Sequence, residues 1–350
     1  MRNSPPGAGH RRARARLRAR RMTSPRISVA LCTFNGARYL QAQLESIALQ
    51  TLPPDELLIC DDASTDETAQ MADAFALESK FPVRVILGSE RLGPAGNFAK
   101  AIEACRGEII VLSDQDDRWR PHKAESLVRA FQQNPSAAYA FSDAMMVDQA
   151  GQPLGQRLWE AVRLRERIGE FHGARQVEIL LRHNLIPGAA MAFRAAFRAV
   201  ILPLPAGWMH DYWIALLGSV LSYGVPVDDV LFDYRRHGDQ ACGWRKKTFA
   251  QVFADSLHAG AQESWRKLEL FRHARSRVLA VSGSTAPIKD RVSLLEEKEA
   301  HLLRRAAARS AAGPSRVIDV LTEVRTGRYR RFSSSWYSVI RDLQGSAGQQ

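Results

Sequence analysis

The amino-acid sequence predicts an α/β protein in which helices flank a mostly parallel sheet. Four short apolar runs alternate with segments of helical spacing between residues 27 and 113. The runs are apolar over nearly their whole length, which is typical of strands buried on both faces of a parallel sheet. Polar or acidic residues follow three of these runs, and ligands of such sheets bind at the carboxyl ends of the strands. The pattern therefore predicts both a fold class and the edge of the sheet that carries a site.

The individual elements follow from the same pattern. Apolar runs predict strands over residues 27–33, 56–60, 83–87 and 108–113. Apolar residues at helical spacing predict helices over residues 38–50 and 99–105. Another helix is expected after the second strand, with Asp66 or Thr65 as its cap. The glycine-containing stretch GSERLGPAG at residues 88–96 is interpreted as a loop.

The second half of the chain is less regular. Its apolar content predicts a strand over residues 139–147, a helix over 208–223 and a strand over 227–234. From residue 244 onward, the spacing of apolar residues predicts helices over 248–260, 263–281 and 291–310. We therefore expect one α/β domain over residues 26–243 and a basic helical region over residues 244–350.

Charge divides the chain into three parts. Residues 1–21 hold eight arginines and no acidic residue, whereas residues 22–243 carry a net charge of −6 and residues 244–350 one of +10. We expect residues 1–25 to be a disordered basic extension, or a segment preceding a real start at Met22. Nucleic-acid binding through the arginine block is the alternative, and the acidic middle of the chain argues against it.

Two further features indicate the compartment. No run reaches the ~18 apolar residues that a membrane span needs, so we expect a cytoplasmic protein. Cys32, Cys60 and Cys105 lie in apolar segments without metal-ligand spacing. This distribution predicts buried free thiols in a reducing compartment.

The stretch LSDQDDRW at residues 112–119 carries the clearest chemical signal. Asp114, Asp116 and Asp117 follow a predicted buried strand, although like charges this close disfavour each other's ionisation. A divalent cation relieves that repulsion, and Mg²⁺ and Mn²⁺ prefer oxygen ligands. The stretch lacks the glycine of an EF-hand loop. A solvated acidic turn is the alternative interpretation.

The motifs together resemble those of a known family. The segments CTFN, CDDAS, LGPAGNF, LSDQDDRW, HDYW and YRRHGDQ occur in this order between residues 27 and 243. Their order and spacing are similar to those of the inverting family-two glycosyltransferases. The D-Q-D-D-x-W form resembles the bacterial rhamnosyltransferase-like branch. This resemblance implies the GT-A fold, a Rossmann-like sheet with flanking helices, and it covers residues 244–350 poorly.

The resemblance also implies residues that bind the nucleotide. Thr33 and Asn35 would lie against it at the end of the first strand. Asp62 would accept a hydrogen bond from the N3–H of uracil or thymine, with support from Asp61. Asn97 matches the family pattern without a chemistry that the sequence assigns.

Other implied residues concern the diphosphate. Asp114, Asp116 and Asp117 would hold Mg²⁺ or Mn²⁺ and stabilise the diphosphate as it leaves. His237 is a further candidate ligand of the metal or phosphate, with a histidine in a solvated loop as the alternative. Arg235 is a candidate to neutralise diphosphate charge.

Two residues are implied to act on the sugars. Asp211, in HDYW, is the candidate general base that removes the proton from the acceptor hydroxyl. Capping of the helix that follows is the alternative role of Asp211. Gly188, in IPGAA, would let the donor sugar approach the backbone, although core packing explains the small residues there nearly as well.

The resemblance thus implies a metal-dependent inverting glycosyltransferase that uses a dTDP or UDP sugar, with L-rhamnose from dTDP as the favoured donor. The acceptor is expected to be a glycan or lipid-linked glycan of surface polysaccharide synthesis. The basic segment YRRFSSSWYSVIRDL at residues 329–343 suggests peripheral association with the inner face of the bacterial cytoplasmic membrane. An ordinary packed helix is the alternative for that segment.

Two other functions are weighed against this one. A nucleotidyltransferase shares the α/β layout, but it would ordinarily show a glycine-rich loop where this chain has TFNGARYL at residues 33–40. A catalytically dead binding scaffold would be expected to lose Asp211 or the D-x-D pair, and both are present.

Overall fold

The computed structural model describes residues 25–238, 261–281, 285–311, 313–333 and 337–344. The predicted basic extension lies outside the described residues except for its last position. The predicted helix over residues 248–260 also lies outside them.

The first four strands form the parallel half of the sheet, as predicted. Their order in space is β3, β2, β1, β4, and every neighbouring pair is parallel. Buried residues fill β1, β2 and all but the last position of β4. β3 is only half-buried, because it is the edge strand. The expectation of burial on both faces is therefore wrong for β3. The four strands are β1 Ile27–Thr33, β2 Glu56–Asp61, β3 Val83–Leu87 and β4 Ile109–Asp114.

The sheet continues beyond β4 with strands of mixed direction. β8 (Met191–Arg194) is antiparallel to both β4 and β6 (Tyr139–Val147). β9 (Gly224–Arg235) runs parallel to β6 and pairs with the short β5 (Arg118–Trp119). β7 (Pro153–Arg157) pairs with β6 off the main path, which gives a nine-stranded sheet.

Helices cover both faces of this sheet. Alternate residues of β1 enter different cores, with Ala30 and Cys32 on one face and Val29 and Leu31 on the other, as the two-residue period of a strand requires. The α/β prediction is confirmed. The helices up to residue 221 are α1 Ala37–Ala48, α2 Thr68–Glu78, α3 Gly93–Ala104, α4 Lys123–Gln133, α5 Leu158–Ala161, α6 Gly173–Leu180, α7 Arg198–Ile201 and α8 His210–Leu221.

The loop predicted over residues 88–96 is wrong in its second half. Gly93 to Gly96 form the first turn of α3, with a proline in the opening positions of the helix. Proline suits this place because the first N–H groups of a helix have no intrahelical partner and its φ is already helical. Gly93 and Pro94 therefore begin a helix and do not form a loop.

The described residues from 261 onward form five further helices, which confirms a helical C-terminal region. The first two of them pack beside α8: the ring of Phe271 meets that of Trp208, just before α8, at 5.5 Å, edge to face. Nη1 of Arg291 donates to the carbonyl of Ser222 at 2.6 Å, just beyond the end of α8. The five are α9 Ala261–Val281, α10 Ala286–Ser310, α11 Pro314–Arg325, α12 Arg328–Phe332 and α13 Tyr337–Gln344.

Cys32, Cys60 and Cys105 are buried free thiols, as predicted. Burial raises the pKa of Cys60 to about 11 and that of Cys105 to about 12. These thiols remain protonated at neutral pH and behave as small apolar side chains.

Candidate active site

A cleft of ≈ 470 Å³ opens at the carboxyl ends of β1 and β4. This is the edge at which a parallel sheet collects its ligands. Its wall also includes residues of α3, of the segment 184–188 and of the start of α8. Eight of the twelve predicted site residues line it, namely Thr33, Asp62, Asn97, Asp114, Asp116, Gly188, Asp211 and His237.

Asp61 and Asn97 hold the ends of β1 and β2 together. Oδ2 of Asp61 accepts hydrogen bonds from the hydroxyls of Thr33 at 2.8 Å and Ser64 at 2.5 Å. Nδ2 of Asn97 donates to the carbonyls of Cys60 at 2.8 Å and Thr33 at 3.3 Å. Asp61 is buried away from the cleft and positions Thr33, which faces it. Asn97, to which the sequence assigns no chemistry, therefore bridges the two strand ends.

Asp62 faces the cleft from the end of β2. Its two carboxylate oxygens accept the backbone N–H groups of Leu92 at 2.7 Å and Gly93 at 2.8 Å, at the start of α3. A helix N-terminus stabilises such a negative charge. Each carboxylate oxygen can accept more than one hydrogen bond, so Asp62 keeps acceptor capacity for a ligand.

Asn35 does not line the cleft. Its side-chain oxygen accepts the backbone N–H of Thr65 at 2.8 Å, and its φ of 45° lies in the left-handed region, which Asn tolerates better than most residues. Asn35 therefore shapes the turn between β1 and α1. Gln115 completes this turn by accepting the N–H of Phe34 at 2.8 Å and donating to its carbonyl at 2.9 Å.

The three aspartates after β4 point in different directions. Asp114 and Asp116 line the cleft, and Oδ2 of Asp116 lies 2.8 Å from Nε2 of His237. Asp117 is buried; its Oδ1 accepts the backbone N–H of Arg235 at 3.0 Å. Its Oδ2 has no hydrogen-bond partner among the described residues. Only two of these three carboxylates therefore face the cleft.

Burial and mutual repulsion shift the acidity of these groups. Burial raises the pKa of Asp114, and the nearby charges of Asp116 and Asp211 raise it further. Burial likewise raises the pKa of Asp117, with the charges of Asp116 and Asp114 adding to it. Lys123 is fully buried near them, and burial lowers the pKa of its ammonium group. No sequence pattern indicates this lysine, whose Nζ lies over the ring of Trp119, 4.1 Å from the ring centre.

Arg235 does not line the cleft. Its Nε donates to the carbonyl of Asp116 at 2.8 Å and its Nη1 to that of Gln149 at 3.0 Å. The guanidinium also lies 4.9 Å from the centre of the Tyr39 ring. These contacts hold the loop after β4 in place beneath Asp116.

The side chains that line the cleft supply only some of the ligands that a hard divalent cation needs. Among the described residues, no three His, Cys, Asp or Glu side chains gather as a complete ligand set. Asp114, Asp116 and His237 nevertheless all line the cleft. Nδ1 of His237 is buried without a hydrogen-bond partner in the described chain. Mg²⁺ typically takes one or two carboxylates and completes its shell with water and substrate phosphates, so an incomplete protein shell is the arrangement expected for it.

Asp211 lines the same cleft from the first turn of α8. Its Oδ1 accepts hydrogen bonds from the N–H of Tyr212 at 2.6 Å and from Nδ2 of Asn184 at 3.0 Å. Burial raises its pKa to about 6, against the opposing effect of these hydrogen bonds. The N-cap residue of α8 is Met209, so Asp211 is not the cap, although it does accept a first-turn N–H. A carboxylate of this acidity can accept a proton near neutral pH.

His210 is a cleft residue that the sequence did not single out. Its ring stacks on that of Phe98 at 3.8 Å, and neither ring nitrogen has a hydrogen-bond partner among the described residues. Burial lowers its pKa to about 3, so the ring is neutral. A Cβ placed on Gly188 would lie 2.5 Å from its Nε2. Gly188 is therefore needed where the backbone passes His210.

Comparison with known proteins agrees with this geometry. Residues 28–201 match the family described as Glycosyl transferase family 2. An uncharacterized glycosyltransferase of Nostoc sp. is 33% identical over 223 residues, which cover 61% of this chain and 65% of the relative. The putative teichuronic acid biosynthesis glycosyltransferase TuaG of Bacillus subtilis is 29% identical over 130 residues, which cover 37% of this chain and 51% of TuaG. The chain thus spans at most about two thirds of these relatives.

Among solved structures, S. aureus TarS 1–349 in complex with UDP-GlcNAc superposes with a TM-score of 0.57. The superposition covers 92% of this chain and 89% of TarS at 14% identity, so it supports the fold alone. The fold, the cleft at the strand ends and the match over residues 28–201 agree with one another. This part of the chain is similar to Glycosyl transferase family 2 and has a GT-A-like fold.

Proposed function

We propose that this protein transfers a sugar from a nucleoside diphosphate to an acceptor hydroxyl, with inversion at the anomeric carbon. The observation that carries the proposal is one cleft lined by two kinds of group. Asp211, a buried carboxylate with a raised pKa, lines the cleft, and so do Asp114, Asp116 and His237. Asp211 suits proton removal, and the other three side chains suit a diphosphate with its cation.

Inversion requires a single displacement. Asp211 accepts the proton of the acceptor hydroxyl while the acceptor oxygen bonds to the anomeric carbon. The bond between that carbon and the diphosphate oxygen breaks, and the nucleoside diphosphate leaves. Asn184 orients the carboxylate through its 3.0 Å hydrogen bond.

The negative charge of the leaving diphosphate needs a partner. Asp114, Asp116 and His237 are the side chains that would hold Mg²⁺ or Mn²⁺ there. Such a cation neutralises charge on the departing phosphate oxygens when it is bound. Asp117 holds Asp116 in place indirectly. Its Oδ1 accepts the backbone N–H of Arg235, and Nε of Arg235 donates to the carbonyl of Asp116.

For the nucleotide, we propose a uridine or deoxythymidine diphosphate. Asp62 faces the cleft and offers acceptor oxygens for the N3–H of uracil or thymine, which cytosine lacks. Thr33 faces the cleft beside it, held by Asp61. The TarS neighbour binds UDP-GlcNAc. The sequence motifs favour L-rhamnose from dTDP as the sugar.

For the acceptor, we propose a glycan or lipid-linked glycan of cell-surface polysaccharide synthesis, at the cytoplasmic face of the membrane. TuaG is described as a putative teichuronic acid biosynthesis enzyme, which supports this class of pathway. Three buried free thiols fit a reducing compartment.

Calorimetry with a panel of dTDP and UDP sugars, each with and without Mn²⁺ or Mg²⁺, tests the proposal. We expect binding that needs the metal and that falls in Asp116→Asn. Asp73→Asn, the same change on the exposed surface of α2, should bind as the wild type does. With the tightest donor, nuclear magnetic resonance of the product of a glycan acceptor should show the opposite anomeric configuration. Absence of binding by every nucleotide sugar with either metal, or retention of configuration, would overturn it.

A further inference from the structure

The outer surface of the C-terminal helices is unusually apolar for a charged region. Val317, Ile318 and Leu321 project from α11, and Ile318 and Leu321 are 62% and 57% exposed. On α13, Ile340 and Leu343 are exposed as well. We call these five side chains the apolar face.

The apolar face spans two adjacent helices. Nη1 of Arg316, on α11, donates to the carbonyls of Leu343 at 3.4 Å and Gln344 at 2.9 Å, at the end of α13. Val317 follows Arg316 directly, and Leu321 lies one turn further along the same helix. Exposed apolar groups that cluster in this way mark an interaction site more often than isolated ones do.

The acidic residues of this region face inward. Glu323 is 1% exposed, and its Oε1 lies 3.3 Å from Nε of Arg304 and 3.2 Å from Nη1 of Arg328. Asp342 is fully buried, where it binds Nε of Arg305 and Nε of Arg309 at 2.5 Å each. Two of the three carboxylates in α11 to α13 are therefore already neutralised inside the helical region. They contribute little negative charge to its outer surface.

Two arginines of the same segment face outward instead. Arg325, one turn beyond Leu321, and Arg330, on α12, are both exposed. The outer surface thus combines apolar side chains with positive charge, and Asp319 is the acidic residue of α11 that remains partly exposed. Anionic lipid surfaces attract such arginines, while apolar side chains enter the boundary between headgroups and acyl chains.

We infer that the apolar face and its arginines form a docking surface for an anionic lipid membrane. None of the helices in the described ranges is long and apolar enough to cross a membrane, so the contact is a peripheral one. The surface differs from the one expected from sequence, because Tyr329 of the segment 329–343 is buried, with its hydroxyl bonded to Asp342 at 2.7 Å. The inference does not depend on which sugar is transferred.

Vesicle flotation of the full-length protein tests this inference. Vesicles of phosphatidylglycerol and phosphatidylcholine in equal parts are compared with vesicles of phosphatidylcholine alone. We expect flotation with the anionic vesicles only, weakened by salt because the attraction is partly electrostatic. Ile318→Ser/Leu321→Ser should weaken binding by about tenfold or more. Arg325→Gln/Arg330→Gln should weaken it roughly tenfold.

Leu49→Ser/Leu77→Ser is the matched control, because both leucines are highly exposed on other helices or at their ends. It should float as the wild type does. All three double variants should keep the melting temperature and the turnover of a water-soluble acceptor, which separates lipid binding from sugar transfer. Flotation that is absent in the wild type, or equally reduced by the control, overturns the inference. Loss of a dimer in Ile318→Ser/Leu321→Ser would also overturn it, by showing that a second copy covers this face.

Discussion

Nε2 of His237 lies 2.8 Å from Oδ2 of Asp116, so that one contact joins the segment after β9 to the segment after β4. These strands are far apart in the chain and are not neighbours in the sheet. The contact fixes one carboxylate of the acidic cluster at the cleft wall. It also leaves Nδ1 of His237 without a partner in the described chain.

The pair of Asp116 and His237 should set the affinity for the metal and the donor. We expect His237→Gln to weaken metal-dependent donor binding by roughly 10- to 100-fold, since loss of a group that holds or orients a metal ligand has about this effect. Calorimetry at fixed Mn²⁺ measures it. His172→Gln, the same change at an exposed position, is the control. An unchanged affinity in His237→Gln would exclude a role for this histidine.

Removal of the carboxylate of Asp211 should affect the chemical step more than donor binding. We expect Asp211→Asn to lower kcat by about 10²- to 10⁴-fold, the usual contribution of a general base, with little change in the affinity for the nucleotide sugar. Steady-state kinetics and donor calorimetry on the same preparation separate the two effects. Equal losses in kcat and in donor affinity would instead indicate a binding role.

The rate should depend on pH through the same carboxylate. A general base must be ionised, and the pKa of Asp211 is raised to about 6, so kcat should rise with pH through about 6 and then level off. The hydrogen bond from Asn184 favours the ionised form. Asn184→Ala should therefore move the rising limb to higher pH. A limb that stays in place in Asn184→Ala would show that another group titrates.

The buried ion pairs of the C-terminal helices should matter for stability. Asp342→Asn leaves Arg305 and Arg309 buried without their carboxylate, which costs about 3–5 kcal/mol for similar buried pairs. Chemical denaturation measures this, and Asp290→Asn, at an exposed position of α10, should change it little. These partners lower the pKa of Asp342, although burial opposes them. Its stabilising effect is therefore complete above the unfolded pKa of about 3.9 and is lost as the pH falls below it.

Gly188 and His210 should be coupled. Gly188→Ala places a Cβ about where Nε2 of His210 now lies, with a separation of 2.5 Å. We expect a loss of about 1–3 kcal/mol of unfolding free energy from this overpacking. In a His210→Ala background the same change should cost clearly less, because the ring that it meets is gone. Additive losses in the double variant would show that the two residues do not interact.

The sequence predicts much of the sheet, because strands that are buried on both faces are continuous apolar runs in the sequence. The bounds of β1, β3 and β6 were predicted to the residue. The prediction of a loop at the start of α3 is wrong. Glycine and proline end a helix at some positions and begin one at others. Local sequence could not decide between these positions.

The site was predictable where polar residues follow strands and less so elsewhere. Asp62, Asp114 and Asp116 face the cleft, as their positions suggested. Asp117 and Arg235 turn away, because neighbours in sequence point to different sides once a strand ends. Neither Lys123 nor His210 belongs to a sequence pattern that indicates a site. Their burial depends on contacts with residues that are distant in the chain.

The helices α9 and α10 share one apolar core with α8. Leu268 and Phe271 of α9 and Leu295 of α10 belong to the same cluster as Trp213 and Leu217. Asp211 opens the helix that carries these two residues. A fragment ending at residue 243 would expose that side of α8, the helix that carries Asp211, to water. We therefore expect heat to unfold the α/β domain and the helices packed on α8 in a single cooperative step.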